Sequence, residues 1–256
     1  MGSEVAIVET VSDGVLMIEL VDETGRNALT VPMREQLLEA LHRLDARTDV
    51  GAAVLSSRSK NFSVGGDIST MGTQTPAPWR YRLQLTSNVA LAIAQNSKPV
   101  VAAVEGWAAG GGMSLALLCD TIVAAENARF KAPFADLGLI GDIGILYTLP
   151  QRVGTARARQ IMIYGEAISA ADAKDWGLVD HLCAPGRAVE EAVRRAAIVA
   201  GKAPLAIRSM KAMLSAGLES FLAREREVQE WLANTEDHVE GQRAFMEKRP
   251  PAFKGK

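Results

Sequence analysis

The amino-acid sequence predicts an α/β fold with parallel strands and crossover helices. Short apolar runs alternate with helix-patterned segments through the first half of the chain, and helical patterns fill the second half. Two glycine-bearing segments, Phe62-Ser63-Val64-Gly65-Gly66-Asp67-Ile68 and Gly106-Trp107-Ala108-Ala109-Gly110-Gly111-Gly112-Met113-Ser114-Leu115, each follow such an apolar run.

Residues 5–10 and 14–20 read as a hairpin turning at Ser12-Asp13-Gly14. Residues 31–44 carry Leu37, Leu38, Leu41 and Leu44 on one helical face, with Thr30 at the N-cap and Pro32 in the first turn. A strand at 52–56, a helix at 77–95, a strand at 99–105, a buried helix at 110–118 and a strand at 121–125 follow. From residue 155 helices dominate, at 155–164, 169–175, 188–201, 205–214 and 218–233. The polar stretch 72–78, with Gly72, Pro76 and Pro78, reads as a mobile loop placed to gate a ligand.

A chain of 256 residues, 48% apolar and 23% charged, fits one large domain or a domain with a small appendage. A net charge of −2 points to no nucleic acid partner, and the basic tail of Lys248, Arg249, Lys254 and Lys256 is too short to change that. Cys119 lies in an apolar run and reads as a buried thiol, so Cys119 and Cys183 suit a reducing, cytoplasmic location. Glu4 and Glu9 interrupt the N-terminus and no secretory signal is expected. The apolar stretch 99–119 contains four glycines and reads as strand, turn and buried helix, so no membrane partner is expected. No His/Cys cluster suggests a metal.

Glycines leave backbone N–H groups unshielded, and two such groups aimed at one point stabilise a developing oxyanion. Other uses of these segments fit less well. The spacing Gly106, Gly110, Gly111, Gly112 does not match a dinucleotide fingerprint, and no Gly-Lys-Ser or Gly-Lys-Thr occurs. Gly112-Met113-Ser114-Leu115-Ala116 approaches a nucleophile elbow, with Asp136 or Asp142 and His181 downstream, but its serine falls inside a helix pattern. Glycines that merely permit close helix–strand packing are the remaining alternative.

With Arg26-Asn27-Ala28-Leu29, the two glycine segments, Pro133–Gly138 followed by Leu149-Pro150-Gln151-Arg152-Val153-Gly154, Ala173-Lys174-Asp175-Trp176-Gly177-Leu178-Val179 and the C-terminal Glu247–Lys254, the chain resembles the crotonase (enoyl-CoA hydratase/isomerase) superfamily nearly end to end. The resemblance implies a spiral of ββα units over 1–200, carrying the CoA and acyl site, and a helical oligomerisation region over 201–256. It implies a homotrimer or hexamer and an acyl-CoA substrate, as in fatty acid metabolism, with no cofactor beyond the coenzyme A of that substrate. Carried over by motif position, the oxyanion amides are those of Gly66 and Gly111. Ser63, Val64, Asp67 and Ile68 line the path of the CoA, Arg26 approaches its phosphates, and Phe245 and Lys248 reach the CoA of a neighbouring subunit.

The two glutamates of the hydratases fall at Ser114 and Phe134, where neither residue is an acid, and Phe134 instead shields the pocket from water. One acid, Asp142, occupies a position at which relatives carry a sole catalytic carboxylate, which favours an isomerase over a hydratase. The alternatives are a weak hydratase, a thioester hydrolase, a dehalogenase (lacking the expected histidine near Ser87) and a non-catalytic acyl-CoA binder in which Asp142 only caps a helix. His42, His181 and His238 belong to none of these motifs.

Overall fold

The computed structural model describes residues 6–71 and 76–256; residue 5 of the predicted first strand and residues 72–75 of the predicted loop lie outside them. Strands β1 (Ala6–Ser12) and β2 (Val15–Val21) pair antiparallel, with Ser12 opposite Val15. Asp13 and Gly14 both take positive φ, 50° and 74°, which suits a two-residue turn to the twist of the strands it joins.

Helix α1 (Val31–Ala46) starts at Thr30, whose hydroxyl accepts the Met33 N–H at 3.3 Å. Strand β3 (Ala52–Ser57), helix α2 (Pro76–Ala94) and strand β4 (Val100–Val104) come next. Because α2 begins at Pro76, the predicted loop ends there rather than at residue 78. Strand β5 (Trp107–Ala109), helix α3 (Gly111–Leu118), and strands β6 (Thr121–Ala125) and β7 (Arg129–Lys131) complete the first half. Helix α4 (Ile145–Tyr164) starts well before residue 155, contains Pro150, and breaks at Gly154 (φ 73°, ψ 158°). It persists across that break because Leu149 on one side and Ala158 and Ile161 on the other are buried. Strand β8 (Ile168–Ser169), helix α5 (Ala170–Asp175), strand β9 (His181–Cys183) and helices α6 (Ala188–Ala200), α7 (Pro204–Leu214), α8 (Leu218–Leu232) and α9 (Glu236–Glu247) follow.

The larger sheet runs β1-β2-β3-β4-β6-β9 and is parallel beyond the hairpin; a smaller one runs β5-β7-β8. Successive side chains on β2, β3 and β4 serve opposite faces. Leu16, Ile18, Leu55 and Ala102 enter the main core, while Val15, Met17, Val54 and Val101 meet Ala188, Ala192 and Ala196 of α6. Burial of both faces explains why these strands read as continuous apolar runs. The closing helices lean on the same core. Lys211 of α7 is buried, donates to the Ile93 carbonyl at 3.2 Å and pairs with Asp120. Among the described residues no helix is long and apolar enough to cross a membrane.

Candidate active site

The site is assembled around Asn27, a buried residue with φ 48°. Its amide donates to Ser57 Oγ at 2.6 Å, the Asn61 carbonyl at 2.8 Å and the Phe62 carbonyl at 3.1 Å. The Val64 N–H donates to the Arg26 carbonyl at 3.0 Å and the Leu29 N–H to the Gly65 carbonyl at 2.8 Å. The loop from Arg26 to Leu29 is thereby sewn onto the first glycine segment.

The second segment meets the first at van der Waals distance. A Cβ built on Gly65 would lie 2.8 Å from the Gly111 nitrogen, and one on Gly112 would lie 2.2 Å from the Ser63 carbonyl oxygen. Only glycine permits this approach. Among the described residues, neither the Gly66 nor the Gly111 N–H donates to an acceptor within the chain. Gly111 opens α3, where the first N–H groups have no partner inside the helix.

Val64, Gly66, Gly111, Phe134 and Asp142 line one cavity of about 50 Å³. Asp142 is held there by an unusual backbone: Gly141, Ile143 and Gly144 all take positive φ, at 104°, 58° and 72°. For a β-branched residue such as Ile143 this is strained, costing on the order of 1–3 kcal/mol, and such strain concentrates at functional sites. Asp142 Oδ1 is buried without a hydrogen-bond partner and lies 3.4 Å from a Cβ built on Gly111. The N-cap of α4 is Gly144, so Asp142 is not the cap of that helix.

Three further ionisable groups surround Asp142. Arg34, 1% exposed, donates from Nη1 to the Leu29 carbonyl, while its Nε and Nη2 have no partner. Burial, aided by the charge of Arg82, pulls it down to about 9. Arg82, 4% exposed, donates to Thr70 Oγ1 at 3.2 Å and stands 5.4 Å from the centroid of the Trp79 ring. The Glu225 carboxyl of α8 accepts the Gly144 N–H at 3.2 and 3.1 Å. Burial, and then the neighbouring Asp142, pushes Glu225 up to about 8. Burial also raises Asp142 above the usual carboxylate range, while the charges of Arg34 and Arg82 pull the other way.

A family model described as enoyl-CoA hydratase/isomerase matches residues 10–256. The chain belongs to the enoyl-CoA hydratase/isomerase family. The 2,3-dehydroadipyl-CoA hydratase of Escherichia coli is 35% identical over 255 residues, covering 94% of this chain and 96% of that one. A trans-2-decenoyl acyl-carrier-protein isomerase of Streptococcus mutans is 31% identical over 261 residues, covering 98% of each. The crystal structure of an enoyl-CoA hydratase from Mycobacterium avium subsp. paratuberculosis superposes with a TM-score of 0.86 at 30% identity, covering 97% of this chain and 98% of that one. The α/β architecture is thus that of the crotonase fold, and the chain is an acyl-CoA enzyme of this family.

Within this family fold, Gly66, Gly111, Val64, Ile68, Phe134 and Asp142 line one cavity. Two expected lining residues do not. The Ser63 hydroxyl is buried, donates to the Asn27 carbonyl at 2.7 Å and accepts the Gly65 N–H at 3.2 Å, so it braces the glycine turn instead. Asp67 is occupied by the Ser69 N–H at 3.0 Å and the Ser69 hydroxyl at 2.6 Å. Arg26, Phe245 and Lys248 are exposed and stand outside the cavity. Ser114 lies inside α3 with its hydroxyl donated to the Gly110 carbonyl at 3.3 Å, which removes the nucleophile-elbow alternative. Sequence reasoning missed Arg34, Arg82, Glu225 and Gln229. Arg34 shares the buried stripe of Leu37, Leu41 and Leu44, and Glu225 and Gln229 share that of Leu218 and Leu222.

Proposed function

We propose that this acyl-CoA enzyme is an enoyl-CoA isomerase, moving the double bond of a 3-enoyl thioester to the 2-position. One observation carries the reading: among the described residues lining the cavity, Asp142 is the single carboxyl, its Oδ1 lies 3.4 Å from a Cβ built on Gly111, and Gly66 lines the same cavity. A 1,3-proton shift needs one base, whereas hydration needs a water held between acid–base groups. The Asp142 carboxylate removes a proton from C2, and the C–H electron pair delocalises into a dienolate. The dienolate oxygen rests against the two N–H groups. The same carboxyl then returns the proton at C4, leaving the double bond between C2 and C3. Each oxyanion donor is worth about 3–4 kcal/mol of transition-state stabilisation. Burial makes Asp142 a stronger base than a surface aspartate, and the two guanidinium groups favour its ionised form.

Hydration is the second reading, because several relatives bear hydratase names. Against it, the positions of the hydratase glutamates hold Ser114, whose hydroxyl is already bonded, and Phe134, whose ring lines the cavity. The proposal also takes residues 201–256 as an oligomerisation region, supported by the exposed Leu205, Met213 and Leu214 of α7, and takes Arg26, Phe245 and Lys248 as CoA contacts.

Purified protein is to be assayed with 3-enoyl- and 2-enoyl-CoA of several chain lengths. Asp142→Asn should slow double-bond migration by about 10²–10⁴ while leaving the circular dichroism spectrum intact. Unchanged migration in that variant refutes the isomerase reading. Hydration of 2-enoyl-CoA that depends on Asp142, with no migration in 3-enoyl-CoA, selects the hydratase reading.

A further inference from the structure

Beyond favouring the ionised form of Asp142, the Arg82 guanidinium takes no direct part in the proton shift. Arg82 lines the same space as Gly66, Gly111 and Asp142, and its Nη2 lies 2.9 Å from a Cβ built on Gly66. A guanidinium carries five N–H donors. Among the described residues, the hydrogen bond from Arg82 goes from Nη1 to Thr70 Oγ1 at 3.2 Å. The residue as a whole is 4% exposed. Trp79 packs against the guanidinium with 5.4 Å between its carbon and the ring centroid, which fixes its plane. Arg34 adds a second buried guanidinium with unpartnered Nε and Nη2.

Neither arginine forms an ion pair with Asp142 among the described residues, and Asp142 Oδ1 has no partner at all. Burial keeps Glu225 largely protonated at pH values well below about 8. Arg34 and Arg82 both act on Asp142, and Asp67 is a second acid that acts on Arg82. A planar guanidinium that lines a cavity and has donors to spare matches a carboxylate in a bidentate fork.

We propose that Arg82, backed by Arg34, is a receptor for a second carboxylate carried on the acyl chain, so that the substrates of this site are CoA thioesters of dicarboxylic acids. The proposal rests on the reading that the Gly66 and Gly111 amides hold the thioester carbonyl. It makes Arg82 a specificity-determining residue: the carbonyl is fixed at the two amides, and the far carboxylate selects which acyl chain is held.

The test uses saturated thioesters, which bind without double-bond chemistry. Isothermal titration of the full-length protein with adipyl-CoA and hexanoyl-CoA compares chains of equal length with and without the second carboxylate. The wild type should bind adipyl-CoA at least about tenfold more tightly, as expected of one charge-assisted contact. Arg82→Met should erase that ratio, chiefly by weakening adipyl-CoA, and Arg82→Lys should keep part of it. Equal affinities in the wild type overturn the proposal, and so does an Arg82→Met variant that weakens both thioesters alike. Should Arg82→Met fail to fold, the wild-type ratio across succinyl-, adipyl- and suberyl-CoA, with the Arg82→Lys variant beside it, decides the matter. Failure of the isomerase reading has a separate signature: 3-hexenoyl- and 3-hexenedioyl-CoA both remain unconverted while the binding preference stands.

Discussion

Replacing Glu225 by glutamine should change how the stability of the protein depends on pH. The carboxyl is 6% exposed and accepts the Gly144 N–H at the start of α4. Its pKa stands at about 8 in the folded chain against an ordinary 4.5, so the folded state holds the proton more tightly than the unfolded state. Below about pH 4.5 both states are protonated and titration of this group changes nothing. Between 4.5 and about 8 the unfolded chain ionises freely while the folded chain resists, so stability falls as pH rises, and above about 8 the loss is complete. At about 1.4 kcal/mol per pH unit, that interval sets a ceiling of about 5 kcal/mol. Glutamine keeps an acceptor for the Gly144 N–H and cannot ionise. Glu225→Gln should match the wild type near pH 4.5 and exceed it at pH 8, with a melting temperature higher by several degrees, at about 2–4 °C per kcal/mol. Thermal melts of both proteins at fixed protomer concentration, from pH 4.5 to 9, measure the difference. All other titrating groups are common to the two chains. A difference that stays flat across this range refutes the buried, protonated glutamic acid.

Other perturbations have equally definite outcomes. Gly112→Ala drives a Cβ to 2.2 Å from the Ser63 carbonyl oxygen and should lose about 3 kcal/mol, whereas the Cβ of Gly66→Ala meets only the ends of Met71 and Arg82. Gly66→Ala should therefore melt close to the wild type while binding the acyl group more weakly; equal melting temperatures for the two variants contradict the described junction. Asn27→Ala removes the amide that donates to Ser57 Oγ, the Asn61 carbonyl and the Phe62 carbonyl and places alanine at φ 48°, so urea unfolding should show a loss of about 2–4 kcal/mol. A loss below about 1 kcal/mol means that Asn27 does not hold the loop. Asp142 must be ionised to act as the base and its pKa is raised, so kcat/KM for migration should fall as pH drops through a value above the ordinary 3.8. A midpoint at or below 3.8 in the pH–rate profile rules out this buried base.

The fold was legible where secondary structure imposes a period on buried residues. Helix α1 announces itself by Leu37, Leu41 and Leu44 and by its Thr30 cap, and β3 and β4 by apolar runs that serve two cores. Strands β5, β7, β8 and β9 span three residues or fewer, too short to show alternation, and depend on partners distant in sequence. Helix α9 buries only His238, Gly241 and Ala244, so its periodic signal is faint. The amides of Gly66 and Gly111 and the acid Asp142 were visible as motifs. The surrounding charges were hidden by a general expectation that charged residues lie at the surface. Arg34 and Glu225 nevertheless occupy positions on otherwise apolar helical stripes, and Arg82 falls in register with Trp79, Thr86, Val89 and Ile93. A charge at a core position of an amphipathic helix is the signal that finds such residues.

Helix α8 reaches back to the chemistry from the end of the chain. Glu225 accepts the N–H of Gly144, the N-cap of α4, and Gln229 accepts the Ile140 N–H at 3.3 Å beside the cavity. Trimming the protein before α7 would leave a bare helix terminus under Asp142 and a breach in the cavity floor, not a smaller working enzyme. The terminal helices are masonry of the reaction chamber, whatever else they grip.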